Sequence, residues 1–151
     1  MKILVDADAC KVVNKAVKIA KKNGIRLVLF SDTNHDIRTD YGEVRIVSSG
    51  SDAVDFAILN NCEKGDIVVT NDGGLAALVL AKKGFVLNSY GKSYTDQNID
   101  EYLNARYIRE RIKRSRRKSY KGLPKGNMEG HADFYTTLLS LISQSKLAIS
   151  A

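Results

Sequence analysis

Five aspartates stand at points where the pattern of apolar residues changes from strand-like to helix-like. They are Asp6, Asp8, Asp52, Asp55 and Asp72. Carboxylates that lie close together repel one another, and their pKa values rise unless a cation joins them. Hard oxygen ligands of this kind suit Mg²⁺ or Mn²⁺, and such a metal can activate water and shield the charge of a phosphate under attack. Metal-assisted phosphodiester cleavage is therefore the chemistry that these residues favour.

The surrounding sequence predicts elements that would bring these aspartates to one edge of a sheet. Short apolar strands are expected at residues 2–5, 25–30, 44–47, 66–70 and 85–87. Helical apolar spacing is expected at residues 9–22, 52–61, 75–83, 100–118 and 131–146. Such alternation is typical of parallel βαβ units with helices on both faces, joined by right-handed crossovers. We expect one three-layer α/β domain over residues 1–151, with a mostly parallel, doubly wound, five-stranded sheet in the order 3-2-1-4-5 and C-terminal helices.

The order of the strands decides which aspartates meet. In open parallel sheets, ligands bind beyond the carboxyl ends of the strands, near the point where the strand order reverses. Strands one and four are neighbours at that point, so Asp6, Asp8 and Asp72 are expected to converge there. Asp52 and Asp55 begin the helix that follows the third strand, and we expect them at the same edge.

Three of the aspartates also have a purely structural interpretation. Asp8 and Asp52 stand where helix-capping side chains are common. Asp72 could be the turn residue of an Asn-Asp-Gly-Gly sequence. Asp6 is harder to explain in this way, because a carboxylate that directly follows a buried strand is costly to bury without a partner.

A run of positive charge follows the strand-rich part of the chain. Between Asn104 and Lys125 there are ten basic residues and one acid, a net charge of +9, whereas the whole chain carries +7. We expect this basic helix and loop, residues 104–125, to bind nucleic acid, in particular RNA, through phosphate contacts. The candidate contact residues are Arg111, Lys113, Arg114, Arg116, Arg117, Lys118 and Lys121. Tyr107 and Tyr120 flank the run and could stack on bases, although core packing is the alternative for Tyr107.

Composition excludes several classes of protein. With 151 residues, 44% of them hydrophobic and 27% charged, the chain has the size and character of an ordinary globular domain. No apolar run approaches the roughly 18 residues that cross a membrane, and Asp6 and Asp8 interrupt the first apolar stretch, which disfavours a signal peptide. We expect a cytoplasmic protein without membrane contact, with Cys10 and Cys62 as buried, reduced thiols. Its oligomeric state is left open, a homodimer included.

Several motifs together resemble the YaiI/YqxD family of largely uncharacterised bacterial proteins. They are Val-Asp-Ala-Asp-Ala-Cys at 5–10, Gly-Ser-Asp-Ala-Val-Asp at 50–55, Asp-Ile-Val-Val-Thr-Asn-Asp at 66–72 followed by Leu75 and Ala76, and the stretch 88–95 around Gly91 and Tyr94. The family is similar in fold to PIN-type nuclease domains, whose acidic residues bind Mg²⁺ or Mn²⁺ for RNA cleavage. The resemblance implies that the metal-binding and catalytic residues are Asp6, Asp8, Asp55 and Asp72, with Asp52 next as a metal ligand.

The chain departs from the family pattern in its loops. Lys11 stands where proline usually follows the cysteine, and Gly73 and Gly74 replace an isoleucine-proline or similar pair. Residues 121–126 match the glycine-rich segment before the last helix only in part. These changes affect the shape of loops and leave the aspartates in place.

Three functions compete on these observations. The first is a metal-dependent ribonuclease or related phosphodiesterase. The second is an RNA-binding module without catalysis, which rests on the +9 segment alone. The third is a phosphohydrolase of the haloacid dehalogenase type, with Asp6 as nucleophile and Asp8 as acid or base. Cys10 stands where that type usually has threonine or valine, which disfavours the third function.

Overall fold

A computed structural model describes residues 1–8, 10–32, 36–48, 52–104 and 133–150, which form a sheet between two layers of helices. The strands are β1 (Lys2–Asp6), β2 (Arg26–Asp32), β3 (Glu43–Val47), β4 (Ile67–Val69), β5 (Phe85–Leu87) and β6 (Ser93–Tyr94). The helices are α1 (Val13–Asn23), α2 (Ala53–Asn61), α3 (Gly73–Ala81), α4 (described over residues 99–104) and α5 (Phe134–Ser150). No helix within the described ranges is long and apolar enough to cross a membrane.

The sheet has the order β3-β2-β1-β4-β5-β6, which confirms the predicted order of the first five strands. Those five are parallel, and β1 lies between β2 and β4, where the strand order reverses. The sequence pattern does not predict β6, because its two residues are too few to show alternation. It pairs antiparallel with β5 after a turn held by Asn88, whose Oδ1 accepts the backbone N–H groups of Tyr90 at 2.9 Å and Lys92 at 3.0 Å.

Side chains alternate between the two faces of the sheet, and each face has its own apolar core. The odd-numbered positions Ile3 and Val5 of β1 pack in the core formed with α1 and α5. The even-numbered Leu4 packs in the core formed with α2 and α3. Asp6 ends the same strand and, by the same alternation, points to the side of α2 and α3. The strand pattern thus decides which helices can share a site with Asp6.

The helix ends agree with the sequence in part. The helix expected at residues 9–22 ends at Asn23, one residue later. Gly24 follows with a left-handed φ of 64° and donates its backbone N–H to carbonyls of the last turn. The prediction that this helix begins at Ala9 is wrong, because turns at residues 7–8 and 11–12 come first and α1 begins at Val13. The predicted apolar face of the last helix is confirmed, with buried Phe134, Leu138, Leu141 and Ile142.

Cys10 and Cys62 are free and buried, as predicted. Burial raises the pKa of the Cys10 thiol to about 12 and that of the Cys62 thiol to about 11. Both thiols are therefore uncharged at neutral pH, which makes them poor nucleophiles and poor metal ligands.

Candidate functional site

An open cleft of about 220 Å³ lies between α2 and α3 at the carboxyl edge of the sheet. On α2 it is lined by residues spaced along one helical face, namely Asp52, Asp55, Phe56 and Leu59. On α3 it is lined by Asp72, Gly74, Leu75 and Leu78. Both helices begin at this edge, so the acidic residues share one end of the cleft and the apolar residues continue from it.

Asp55 on α2 and Asp72 on α3 line the same cleft. The pKa of Asp55 is raised to about 6, first by burial and then by the charges of Asp72, Asp6 and Asp52, with a smaller contribution from contact with the Asp72 side chain. Neighbouring carboxylates favour the protonated form because their charges repel. The structure therefore brings four of the five predicted aspartates into electrostatic contact.

Thr70, which sequence reasoning does not single out, joins Asp6 to Asp72. Asp6 is only 6% exposed, and the Thr70 hydroxyl donates to its Oδ2 at 3.2 Å. The same hydroxyl oxygen accepts the backbone N–H of Asp72 at 3.1 Å. Thr70 is two residues from Val68, which packs toward α2 and α3. Side chains two residues apart in a strand face the same side of the sheet, and this spacing is the sequence signal that could have identified Thr70.

Asp72 has a structural role as well as its place in the cleft. It is the N-cap of α3, where its Oδ1 accepts the backbone N–H groups of Gly74 at 2.7 Å and Leu75 at 3.2 Å. The sequence interpretation of Asp72 as a turn residue does not include this helix cap. The helix begins at Gly73, two residues before the predicted start. The cap fixes the carboxylate beside Asp55.

Asp8 turns toward β2, on the side of β1 opposite to β4 and Asp72. Its carboxylate accepts the Ser31 hydroxyl at 2.8 Å and the backbone N–H of Asp32 at 2.7 Å. The prediction that Asp8 caps α1 is wrong, because the N-cap position is Val12 and no side chain caps it. The place of Asp8 in a metal site stays a prediction.

Asp52 occupies the N-cap position of α2, but its side chain makes no capping hydrogen bond. The expected capping role of this carboxylate is therefore wrong. Asp52 is exposed, lines the cleft and adds to the charge that raises the pKa of Asp55.

The hydroxyl of Tyr94 is buried within reach of the charge of Asp72. Tyr94 is 3% exposed, and its hydroxyl finds no hydrogen-bond partner among the residues that the structure describes. Its pKa is raised, chiefly by burial and then by Tyr102, Cys10 and Asp72. A buried hydroxyl without a partner is costly. Tyr94 does not line the cleft, so this cost belongs to the core beside α3.

The donor set offers part of what a divalent metal needs. In the described part of the chain, no three His, Cys, Asp or Glu side chains are arranged as a ready-made metal site. Mg²⁺, however, is commonly held by one or two carboxylates, with water and substrate oxygens completing its shell. Asp55 and Asp72 offer two carboxylates on one cleft, and a cation between them would offset the repulsion of their charges. The pair therefore fits a small divalent ion.

The predicted nucleic-acid contacts lie outside the described residues. They are Arg111, Lys113, Arg114, Arg116, Arg117, Lys118 and Lys121, together with Tyr107 and Tyr120. The last described helix before this segment, α4, packs beside the start of α3. A Cβ on Gly73 would lie 3.5 Å from the Tyr102 Cβ and 4.0 Å from the Leu103 Cδ2. Arg106, the first basic residue of the segment, follows Leu103 by three positions.

A model of the family described as "Uncharacterized BCR, YaiI/YqxD family" matches residues 4–144. The chain belongs to this family. A UPF0178 protein of Alkaliphilus oremlandii is 41% identical over 149 residues, which cover 99% of this chain and 96% of the relative. A UPF0178 protein of Clostridium acetobutylicum is 40% identical over 148 residues, which cover 97% and 100%. No solved structure matches the chain.

Membership of the YaiI/YqxD family confirms the resemblance that the motifs carry. A third relative, a UPF0178 protein of Lachnoclostridium phytofermentans, is 45% identical over 114 residues, which cover 76% of each chain. The range matched by the family model contains all five aspartates and the whole basic segment.

Proposed function

We propose that this protein is a metal-dependent phosphodiesterase that cleaves RNA, with Mg²⁺ or Mn²⁺ held at Asp55 and Asp72. The observation that carries the proposal is that these two side chains line one cleft, close enough for the charge of Asp72 to raise the pKa of Asp55. Carboxylates that act on each other in this way favour a proton or a cation between them. The charges of Asp6 and Asp52 also act on Asp55. They increase the attraction for a divalent cation at neutral pH.

The surrounding contacts hold these acidic groups in place before any ligand binds. The α3 cap restricts Asp72, because two backbone N–H groups donate to its Oδ1. Thr70 restrains Asp6 through its hydroxyl and the backbone of Asp72 through its oxygen. Ligands that are ordered in advance favour metal binding, since little side-chain freedom is lost. A bound Mg²⁺ or Mn²⁺ would supply an activated water and shield the phosphate.

The charge distribution supports RNA as the substrate class. The cleft is acidic, so it repels a polyanion unless positive charge lies beside it. A metal ion in the cleft would offset this repulsion only at the phosphate that it contacts. The +9 segment at residues 104–125 provides the charge that binds a phosphate backbone. The packing of Leu103 beside Gly73 places α4, which precedes that segment, next to the first turn of α3.

An RNA-binding module without catalysis is the second candidate, and one observation favours it. Over the described ranges, the acidic residues do not form a metal site of three or more side chains. This candidate predicts RNA binding that weakens as the salt concentration rises. The substitutions Arg114→Ala, Arg116→Ala and Arg117→Ala should weaken it further, and no RNA should be cleaved with any divalent metal ion. The phosphohydrolase alternative is disfavoured, because Asp6 is 6% exposed and Asp8 is held by the end of β2.

Cleavage of RNA by the purified chain tests the proposal. In Mg²⁺ or Mn²⁺, Asp55→Asn and Asp72→Asn should each reduce kcat/KM by at least about 100-fold. Asn preserves the shape of the side chain and can still cap α3 at position 72, so the loss reports on charge. Asp96→Asn is the matched control, because Asp96 is exposed and outside the cleft.

Two results would separate the candidate functions. Cleavage that survives both Asp6→Asn and Asp72→Asn in a preparation free of contaminating nuclease would contradict the proposal. RNA binding without turnover, combined with no Mn²⁺ binding in a direct titration followed by electron paramagnetic resonance, would favour the RNA-binding module.

A further inference from the structure

The acidic end of the cleft continues into an exposed apolar wall. Phe56 follows Asp55 on α2 and is 62% exposed, and Leu78 on α3 is 52% exposed. Both line the cleft. The core side of α2 is formed by Val54 and Ile58, so the Phe56 ring contributes little to the core and is accessible from the cleft.

The size of the cleft limits what can fit between these side chains. Its volume of about 220 Å³ is several times smaller than two turns of an α-helix with side chains, which measure roughly 10 Å across and 11 Å long. A stable protein interface buries on the order of 1,000 Å² or more, which far exceeds what two exposed side chains offer. A single flat ring system matches the cleft better than a protein partner does.

A hydrogen-bond acceptor stands beside this apolar wall. Asp52 is exposed, lines the same cleft and makes no capping hydrogen bond. An ionised carboxylate accepts hydrogen bonds and donates none, so it suits the amino groups and ring N–H groups on the edges of nucleobases. Aromatic side chains stack on unpaired bases of any sequence. The cleft therefore combines a stacking surface with an acceptor for a base edge.

We propose that this cleft holds one unstacked base of a single-stranded nucleic acid, with its ring against Phe56 and Leu78 and its donor edge toward Asp52. The inference rests on the proposed phosphodiesterase function and deepens it, because a base held here would bring its backbone close to Asp55 and Asp72. Bases inside a duplex are stacked on their neighbours and cannot enter. Among the RNA substrates of the proposed function, the site therefore selects single strands.

A single-stranded RNA that carries one 2-aminopurine tests the base site, because stacking quenches the fluorescence of this base. With the full chain in Mn²⁺, quenching, KM and kcat are measured together. Phe56→Ala should abolish the quenching and raise KM about tenfold with kcat nearly unchanged, whereas Phe56→Tyr keeps the ring and should match the unaltered chain. Leu147→Ala is the matched control, because Leu147 is 73% exposed on α5, across the sheet from the cleft.

The outcomes distinguish the base site from the enzyme. Unchanged quenching and KM in Phe56→Ala, with cleavage intact, would overturn the base site and leave the proposed function standing. Quenching that depends on Phe56 without cleavage would support the base site and contradict the phosphodiesterase. Equal cleavage of the single strand and its duplex would overturn single-strand selection. A change from dimer to monomer in Phe56→Ala would assign the surface to a second copy of the chain and overturn the proposal.

Discussion

The two ends of the β1–β4 strand pair each hold a buried aspartate, and the surroundings of the two differ. At the amino end, Asp66 is 2% exposed and forms an ion pair with the Lys2 Nζ at 2.6 Å. The backbone N–H groups of Lys2 and Glu63 also donate to it, at 3.0 and 2.8 Å. At the carboxyl end, Asp6 is 6% exposed, and its charge raises the pKa of Asp55.

This difference separates stability from ligand binding. A buried carboxylate with a cation and several hydrogen bonds is costly to disrupt. Acidic groups that raise one another's pKa destabilise the fold until a proton or a cation joins them. Such clusters occur mainly where binding or catalysis uses them. We therefore expect the amino end to respond to substitution through stability, and the carboxyl end through ligand binding.

The largest expected effect is at the amino end. Lys2→Met leaves the Asp66 carboxylate buried without its cation, which should lower the free energy of unfolding by about 3 kcal/mol in urea at pH 7. The double variant Lys2→Met/Asp66→Asn should recover part of this loss, because the unpaired charge is gone. A loss below about 0.5 kcal/mol in the single variant would indicate a solvated pair and remove the contrast between the two ends.

The second-largest expected effect separates Asp8, which supports the fold, from the aspartates of the proposed metal site. Asp8→Ala removes the acceptor for the Ser31 hydroxyl and the Asp32 N–H, so it should lower the free energy of unfolding by about 2 kcal/mol while the Mn²⁺ affinity is unchanged. Asp96→Ala, at an exposed position, is the control and should change stability by less than about 0.5 kcal/mol. If Asp8→Ala instead keeps its stability and loses Mn²⁺ binding, Asp8 belongs to the metal site.

The smallest expected effect is a gain in the free energy of unfolding, whereas the two effects above are losses. The pKa of Asp55 is raised from 3.8 to about 6 in the folded chain, so the folded state holds this proton more tightly than the unfolded state. Without metal, the contribution of Asp55 to stability is therefore greatest below pH 4 and falls as the pH rises to 6. Asp55→Asn removes that loss. It should be more stable than the unaltered chain by about 1 kcal/mol above pH 6, after allowance for solvent screening.

Urea unfolding in EDTA between pH 4 and 8 measures this difference, with Asp96→Asn as the control. The gain should grow from pH 4 to 6 and then level off. Mn²⁺ should reverse the order above pH 6, because the ion stabilises only a chain that has both Asp55 and Asp72 carboxylates. A gain that is independent of pH would show that another group titrates in this range.

Local sequence patterns predict the sheet and much of the acidic cleft. Alternating apolar strands and helices identify β1 to β5, because periodicity is a property of neighbouring residues. The strand order follows from the doubly wound fold class that this alternation indicates, and the structure confirms it. The same reasoning places Asp6 and Asp72 at one edge, where the Thr70 side chain contacts both residues. The two residues of β6 are too few to show a period.

The contacts between distant segments are what local patterns miss. Asp8 binds groups 23 and 24 positions away, and the partners Lys2 and Asp66 are 64 positions apart. Such contacts depend on where each strand ends against its neighbour, which no single segment encodes. The capping preference predicted for Asp8 is a local one, and the end of β2 outweighs it.

The position of Asp6 within β1 has a consequence for how the chain can change in length. Because side chains in a strand alternate, one residue inserted or deleted between Lys2 and Asp6 would exchange the two faces. Asp6 would then turn to the α1 and α5 side and leave the cleft. Loops such as residues 36–42 can lengthen without this result. A design that places these acidic residues on another parallel sheet must therefore keep the number of residues along β1 as well as the aspartates themselves.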